Sequence, residues 1–84
     1  MAHLSKYLSS AQNELDALPG DVQKRIASAV INLESNPRPH GCKKLKTLDA
    51  YCIRVGDYRV VYKVHDDVLI VLVIKVVHRG EVYR

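Results

Sequence analysis

The sequence predicts an α+β domain: a short opening strand, two amphipathic helices, then a meander of antiparallel strands in the order β-α-α-β-β-β. Three observations carry that expectation. Apolar residues recur at helical spacing as far as Leu33 and at period two from Tyr51 onward. A stretch with two prolines, Asn36-Pro37-Arg38-Pro39-His40-Gly41, separates the two regimes. Tight turns at Gly56-Asp57 and Asp66-Asp67 leave the flanking strands no path except antiparallel pairing. Helices before strands in one short chain place the helical hairpin on one face of a small twisted antiparallel sheet.

Each element follows from its own residues. Leu4 to Leu8 has the makings of a short strand. Ser9 and Gln12 have capping-box spacing, in which each side chain answers the other's free backbone N–H. Ala11, Leu15 and Leu18 then form one stripe of a first helix, which Pro19-Gly20 ends. Asp21 suits the N-cap of a second helix, whose apolar face reads Val22, Ile26, Ala29, Val30 and Leu33. The short connector between them implies a hairpin of packed helices. Further on, Tyr51, Ile53 and Val55 alternate with Cys52 and Arg54. Tyr58, Val60, Tyr62 and Val64 alternate with Arg59, Val61, Lys63 and His65. Val68 to Val77 is apolar on both faces, as expected of a central strand.

The 84 residues suffice for one domain, 1–84, with a modest core built without Trp or Phe. The formal charge of +4 is unevenly spread: three Lys/Arg face four Asp/Glu up to Pro37, and ten face five from Arg38 onward. The second half therefore has the electrostatic character of a surface for a polyanion. Cys42 and Cys52 fit no metal-ligand spacing, and no two histidines do either, so no metal or cofactor is expected. The opening residues contain no continuous hydrophobic run, and Val68–Val77, interrupted by Lys75, is about half the length that spans a bilayer. A cytoplasmic protein with reduced thiols, not a membrane protein, is expected.

Strand parity directs the cations. Arg54 shares a face with Cys52, opposite Ile53 and Val55; Arg59 and Lys63 lie opposite Tyr58, Val60, Tyr62 and Val64. Both strands thus send arginines to the face away from the helices, where two planar guanidinium forks make a clamp for phosphate. His78, Arg79 and Tyr83 follow the last strand and add an imidazole and a phenol capable of moving protons. Lys43, Lys44 and Lys46 are expected in a loop beside that face, where they would contact flanking phosphates without reading sequence. His40 and His65 read as turn and surface residues. RNA cleavage is the chemistry this constellation suggests.

The run Gly56-Asp57-Tyr58-Arg59-Val60-Val61-Tyr62, the exit His78-Arg79 and the ending Glu81-Val82-Tyr83 resemble the RelE branch of the RelE/ParE toxin superfamily. Ala11-Gln12-Asn13-Glu14-Leu15, Leu18-Pro19, Asn36-Pro37-Arg38-Pro39 and Lys43-Lys44-Leu45 are similar to that family's segments in the same order. The resemblance implies the toxin of a type II toxin–antitoxin pair. Such a toxin is a metal-independent endoribonuclease that cuts mRNA in the ribosomal A site and is held by a cognate antitoxin protein. It also implies roles: Arg59 on the pentacoordinate phosphorane, Arg54 on the scissile phosphate, Arg79 on the phosphate or leaving oxygen, and Tyr83 stacked beside the cut. His78 stands at a position that is basic or histidine in relatives, and is expected to take a proton role with help from Tyr83 or a lysine of 43–46. The chain departs from one branch by placing Cys52 where that branch has lysine. Two other functions stay open at this level: a ParE-like inhibitor of DNA gyrase, and a RelE-fold binding module without catalysis.

Overall fold

The chain's helical and strand regimes meet in one mixed sheet backed by two helices, as seen in a computed structural model describing residues 3–46 and 49–78. Strand β1 spans Leu4–Tyr7, α1 Ser9–Asp16, α2 Gly20–Ser35, β2 Lys43–Leu45, β3 Ala50–Val55, β4 Tyr58–His65 and β5 Ile70–His78. Across the sheet they run β1-β5-β4-β3-β2. The α+β class and the β3-β4-β5 meander follow the sequence expectation.

Two features of the sheet differ from it. β1 lies parallel to β5, Leu4 opposite Ile70 and Tyr7 opposite Val73, so the sheet is mixed rather than antiparallel. The two helices carry the chain across the sheet from β1 to β2 at the far edge, and the β2-β3-β4-β5 meander brings it back beside β1. Lys43–Leu45, expected as loop, forms the outer strand β2, with Lys43 opposite Cys52 and Leu45 opposite Ala50.

Both helix starts dispense with side-chain caps. The chain leaves β1 through Leu8 in an extended conformation (φ −62°, ψ 152°), which puts Ser9 inside the first turn instead of at its N-cap. The expected Ser9–Gln12 box therefore does not form, and Gln12 Nε2 donates to Asp16 Oδ1 at 2.9 Å. In α2 the N-cap is Pro19, and Asp21 sits within the first turn, where its charge favours the helix dipole. Gln23 Nε2 closes the connector by donating to the carbonyls of Asp16 and Leu18.

The main core lies between helices and sheet. Ala11 and Leu15 of α1 and Ile26, Val30 and Leu33 of α2 meet Val60, Tyr62, Val71, Val73 and Val76. Tyr62 is fully buried, and its hydroxyl donates to the Pro37 carbonyl at 2.7 Å, tying the interhelix-to-sheet loop to the sheet centre. The same loop is held from outside by Arg38. Its Nη2 pairs with Asp66 at 2.9 Å and its Nε donates to the Tyr51 hydroxyl, while His3 Nε2 lies 3.1 Å from the other Asp66 oxygen.

A bulge in β5 sets which residues face which way. Val61 pairs with Lys75, but Tyr62 pairs with Val73, so Ile74 is an extra residue opposite no partner. One inserted residue reverses the alternation beyond it. Val73 and Val76, three apart, therefore both reach the main core, while Ile74 turns to the opposite face. There it joins Leu45, Ala50, Cys52 and Val61 in a second, smaller cluster. Val61 thus lies buried on the face expected to be solvated. At the other end of β5, Val68 is exposed and Leu69 takes φ 55°, so the turn after β4 runs longer than Asp66-Asp67 and the strand starts at Ile70. Among the described residues no helix is long and apolar enough to cross a membrane.

Candidate functional site

The antiparallel register of β3 and β4 sets Arg54 directly opposite Arg59. Directly opposed side chains start from Cβ atoms about 5 Å apart, and like charges so placed destabilise a sheet. Parity sends both to the face that the helices leave uncovered, as the alternation of apolar residues predicts. One step along, Cys52 pairs with Lys43 on one side and Val61 on the other. Lys43, Cys52, Arg54 and Arg59, with Gly41, line a cleft of about 190 Å³. Among the described residues three cations and no carboxylate line it.

The walls of this cleft come from local backbone geometry. β2 begins only at Lys43, opposite Cys52, so β3 runs on past it with a free edge from Ile53. Gly41 turns the chain there at φ 93°, a conformation glycine adopts without a Cβ clash, and nothing occupies the space its missing Cβ would fill. At the tip of the β3–β4 hairpin Arg54 Nε donates to the Gly56 carbonyl at 3.2 Å. That bond holds the guanidinium at the mouth of the cleft. From the helical side Arg25 of α2 closes on the same turn: a Cβ on Gly56 would lie 3.1 Å from its Nη2. Gly56 itself takes φ 58°.

Burial pushes the Cys52 thiol above its ordinary value, and the positive charges of Arg59 and Lys43 oppose that shift without cancelling it. The group is therefore a neutral thiol at physiological pH, donating weakly to the Ile53 carbonyl at 3.8 Å. A thiolate would be the form able to accept a proton. Arg59 is half-buried beside it, and Arg54 is exposed.

The remaining expected site residues are placed as follows. His78 pairs with Tyr58, and the two rings meet edge to face with centroids 5.2 Å apart. Tyr58 packs against the main core, so His78 lies on the helix side of the sheet, at the same end as the arginines but across the sheet from them. The β5 bulge is the cause: without it, the alternation set by Val71 and Val73 would carry His78 to the open face. Lys43, Lys44 and Lys46 are separated too. Lys43 enters the cleft, Lys44 pairs with Tyr51 on the other face and lies 3.9 Å from Asp49, and Lys46 is exposed in the turn after β2. Lys63, half-buried opposite Leu72, stands on the open face two alternations beyond Arg59. Arg79 and Tyr83 lie outside the described residues. Arg25 and Gly41 are contributors the sequence did not reveal, since Arg25 looks like any polar-face residue of a helix. Among the described residues no group of three His, Cys, Asp or Glu could hold a metal ion.

Comparison with known proteins places this geometry in context. The model of the ParE toxin of type II toxin–antitoxin systems matches residues 2–83. No curated protein matches the sequence. Among solved structures, the archaeal RelE–RelB complex from Pyrococcus horikoshii OT3 contains a chain 28% identical, with a TM-score of 0.84 over 98% of this chain and 100% of that one. A chain of the intact E. coli RelBE toxin–antitoxin complex is also 28% identical, at TM-score 0.81 over 99% and 100%. A chain of the RelBE2 complex from Mycobacterium tuberculosis, 22% identical, shares the fold at TM-score 0.84 over 94% and 100%.

Proposed function

Since the chain belongs to the RelE/ParE family, as a RelE-like toxin of a toxin–antitoxin system, we propose that it is a metal-independent endoribonuclease acting on mRNA. The observation that carries this reading is the opposed pair Arg54 and Arg59 in a cleft that, among the described residues, Lys43 lines and no carboxylate does. Two arginines set opposite each other by strand register repel, and a phosphodiester between them relieves the repulsion.

In the proposed reaction a ribose 2′-OH attacks the adjacent phosphorus. Its proton leaves to a base, the P–O5′ bond breaks, and the products are a 2′,3′-cyclic phosphate and a free 5′-OH. Charge builds on the non-bridging oxygens in the phosphorane, which is where fixed donors lower a barrier most. Arg59, half-buried and preorganised between strands, takes that role, and Arg54 holds the phosphate at the mouth. Lys43 reaches the cleft as an ammonium, a donor for the leaving 5′ oxygen. For the base the family resemblance offers His78 and Tyr83, of which His78 stands against Tyr58 on the helix side of the sheet, and Arg79 is assigned to the phosphate. Lys63 and Lys46 extend the basic surface to flanking phosphates, and Lys44 does so at the β2 edge. The domain, 1–84, would act in the cytoplasm on ribosome-bound mRNA, and a cognate antitoxin would cover the basic face. Toxin–antitoxin complexes among the structural relatives support that partner.

The test is direct. Purified protein is incubated with a model RNA in EDTA and the ends are mapped by mass spectrometry. Cyclic phosphate ends with wild type and none with Arg59→Ala support the reading; intact RNA, on and off ribosomes, rules it out. A second reading, gyrase inhibition, draws on the match to the ParE family model. Gyrase-dependent DNA damage with intact mRNA would select it.

A further inference from the structure

The cationic cleft does not end at Arg54. Gly41 and Arg54 also line a larger cleft of about 350 Å³ between the second half of α2, the 39–42 turn and the free edge of β3. Ala29 and Asn32 carry it on into a third, of about 400 Å³, lined by Lys24 and Arg25. The three form one furrow that leaves the arginine pair, rounds the β3 edge and runs along α2. Its passage crosses Gly41, where no side chain narrows it and a Cβ would meet nothing within 4 Å.

The chemistry of the furrow changes along its length. Lys43, Arg59 and Arg54 stand at one end and Lys24 and Arg25 at the other. Between them the floor is apolar, with Leu33 and Ile53, and the rim carries the Asn32 amide and the His40 imidazole. Among the described residues no Asp or Glu lines any of the three sections. Cations spaced around an apolar slot with an amide at its rim match a nucleotide: phosphates at both ends, a base between. Unstacked bases in single-stranded RNA are held on flat side chains such as His and read by amides at their edges. The middle section is within the size range of small-ligand pockets.

Resting on the nuclease reading above, we infer that the α2–β3 furrow binds the nucleotide next to the cut. Asn32 and His40 hold its base, and Arg25 with Lys24 hold its far phosphate. Arg54 is then the shared residue, touching the scissile phosphate on one side and the flanking nucleotide on the other. The furrow would make this chain prefer a longer RNA and discriminate at one flanking position.

The test uses 2′-O-methyl RNA, which binds but cannot be cut by 2′-OH attack. Affinities of a dinucleotide and a tetranucleotide are measured for wild type, Asn32→Leu and His40→Ala. The tetranucleotide should bind wild type about tenfold or more tightly than the dinucleotide, which lacks the far phosphate that Arg25 and Lys24 hold. Both RNAs carry the base next to the cut, so Asn32→Leu and His40→Ala should each weaken both by about tenfold. In ¹⁵N-labelled wild type, both RNAs should shift the amide signals of Asn32, His40 and Gly41. Wild-type affinity in both variants, or no shift at Asn32 and His40 when RNA binds, overturns the furrow and leaves the nuclease reading standing. Failure of both RNAs to bind overturns the furrow, while the nuclease reading is decided by the cleavage assay on ribosomes. Shifts at Asn32 and His40 with an acidic peptide, and none with RNA, assign the furrow to a protein partner and overturn the inference.

Discussion

Cys52 occupies the centre of the cationic cleft, yet its burial keeps the thiol protonated even with Arg59 and Lys43 nearby. A protonated thiol cannot take the 2′-OH proton, so the proposed chemistry does not use it. Cys52→Ser should therefore keep cleavage within about threefold of wild type, whereas deleting a true general base costs on the order of 10²–10⁴. Initial rates on one RNA decide between these. Tyr62 bears on stability instead. Tyr62→Phe leaves the Pro37 carbonyl without its donor, at about 1–2 kcal/mol, and should lower Tm by several degrees in calorimetry. Burial raises both Tyr62 and Tyr7 above the ordinary tyrosine value, with Glu34 adding to the rise at Tyr7. Folded values above unfolded ones mean that this contribution is whole below about pH 10 and is lost as pH climbs through the folded values. Tm should accordingly fall above pH 10, and Tyr62→Phe should fall less steeply.

At the level of elements, the hairpin of β3 and β4 was readable because alternation over 51–55 and 58–65 fixes each side chain's face, and Gly56 fixes the register. Arg54 opposite Arg59 follows from those two facts alone. Other elements depended on distant partners. β2 is three residues with two lysines, and only pairing with β3 makes it a strand. The parallel docking of β1 depends on the last strand of the meander, β5, returning beside it. The β5 bulge leaves no composition signal, and it alone moves His78 to the Tyr58 side. Ser9 lost its capping role because Leu8 was still extended when the helix began. The hairpin tip offers a test of this reading. Gly56 combines positive φ with an Arg25 guanidinium that a Cβ would meet at 3.1 Å, tighter than ordinary van der Waals contact. Gly56→Ala should destabilise the fold by about 1 kcal/mol or more and weaken RNA cleavage through Arg54, whose Nε is anchored to the Gly56 carbonyl. Denaturant melts and rates on the same variant check both effects.

Across the whole molecule, charge is divided between faces. Lys43, Arg54, Arg59 and Lys63 share the open side of the sheet, whereas Arg38 is spent on Asp66 and Tyr51 at the loop. The network of Arg38, Asp66 and His3 holds the Asp66 carboxyl below its usual range, and its contribution is present above the ordinary carboxylate value and lost as pH falls. On the proposed reading the open face takes a polyanion, so RNA affinity should fall steeply with salt. The most direct test of the central claim is a double-mutant cycle on Arg54 and Arg59, read as kcat/KM for a single RNA. Removal of one preorganised phosphate donor should cost about 100-fold or more. Two donors on one phosphodiester should then show coupling, the double variant losing less than the product of the single losses. Single variants within about threefold of wild type, or losses that multiply without coupling as independent sites do, would contradict a shared phosphate.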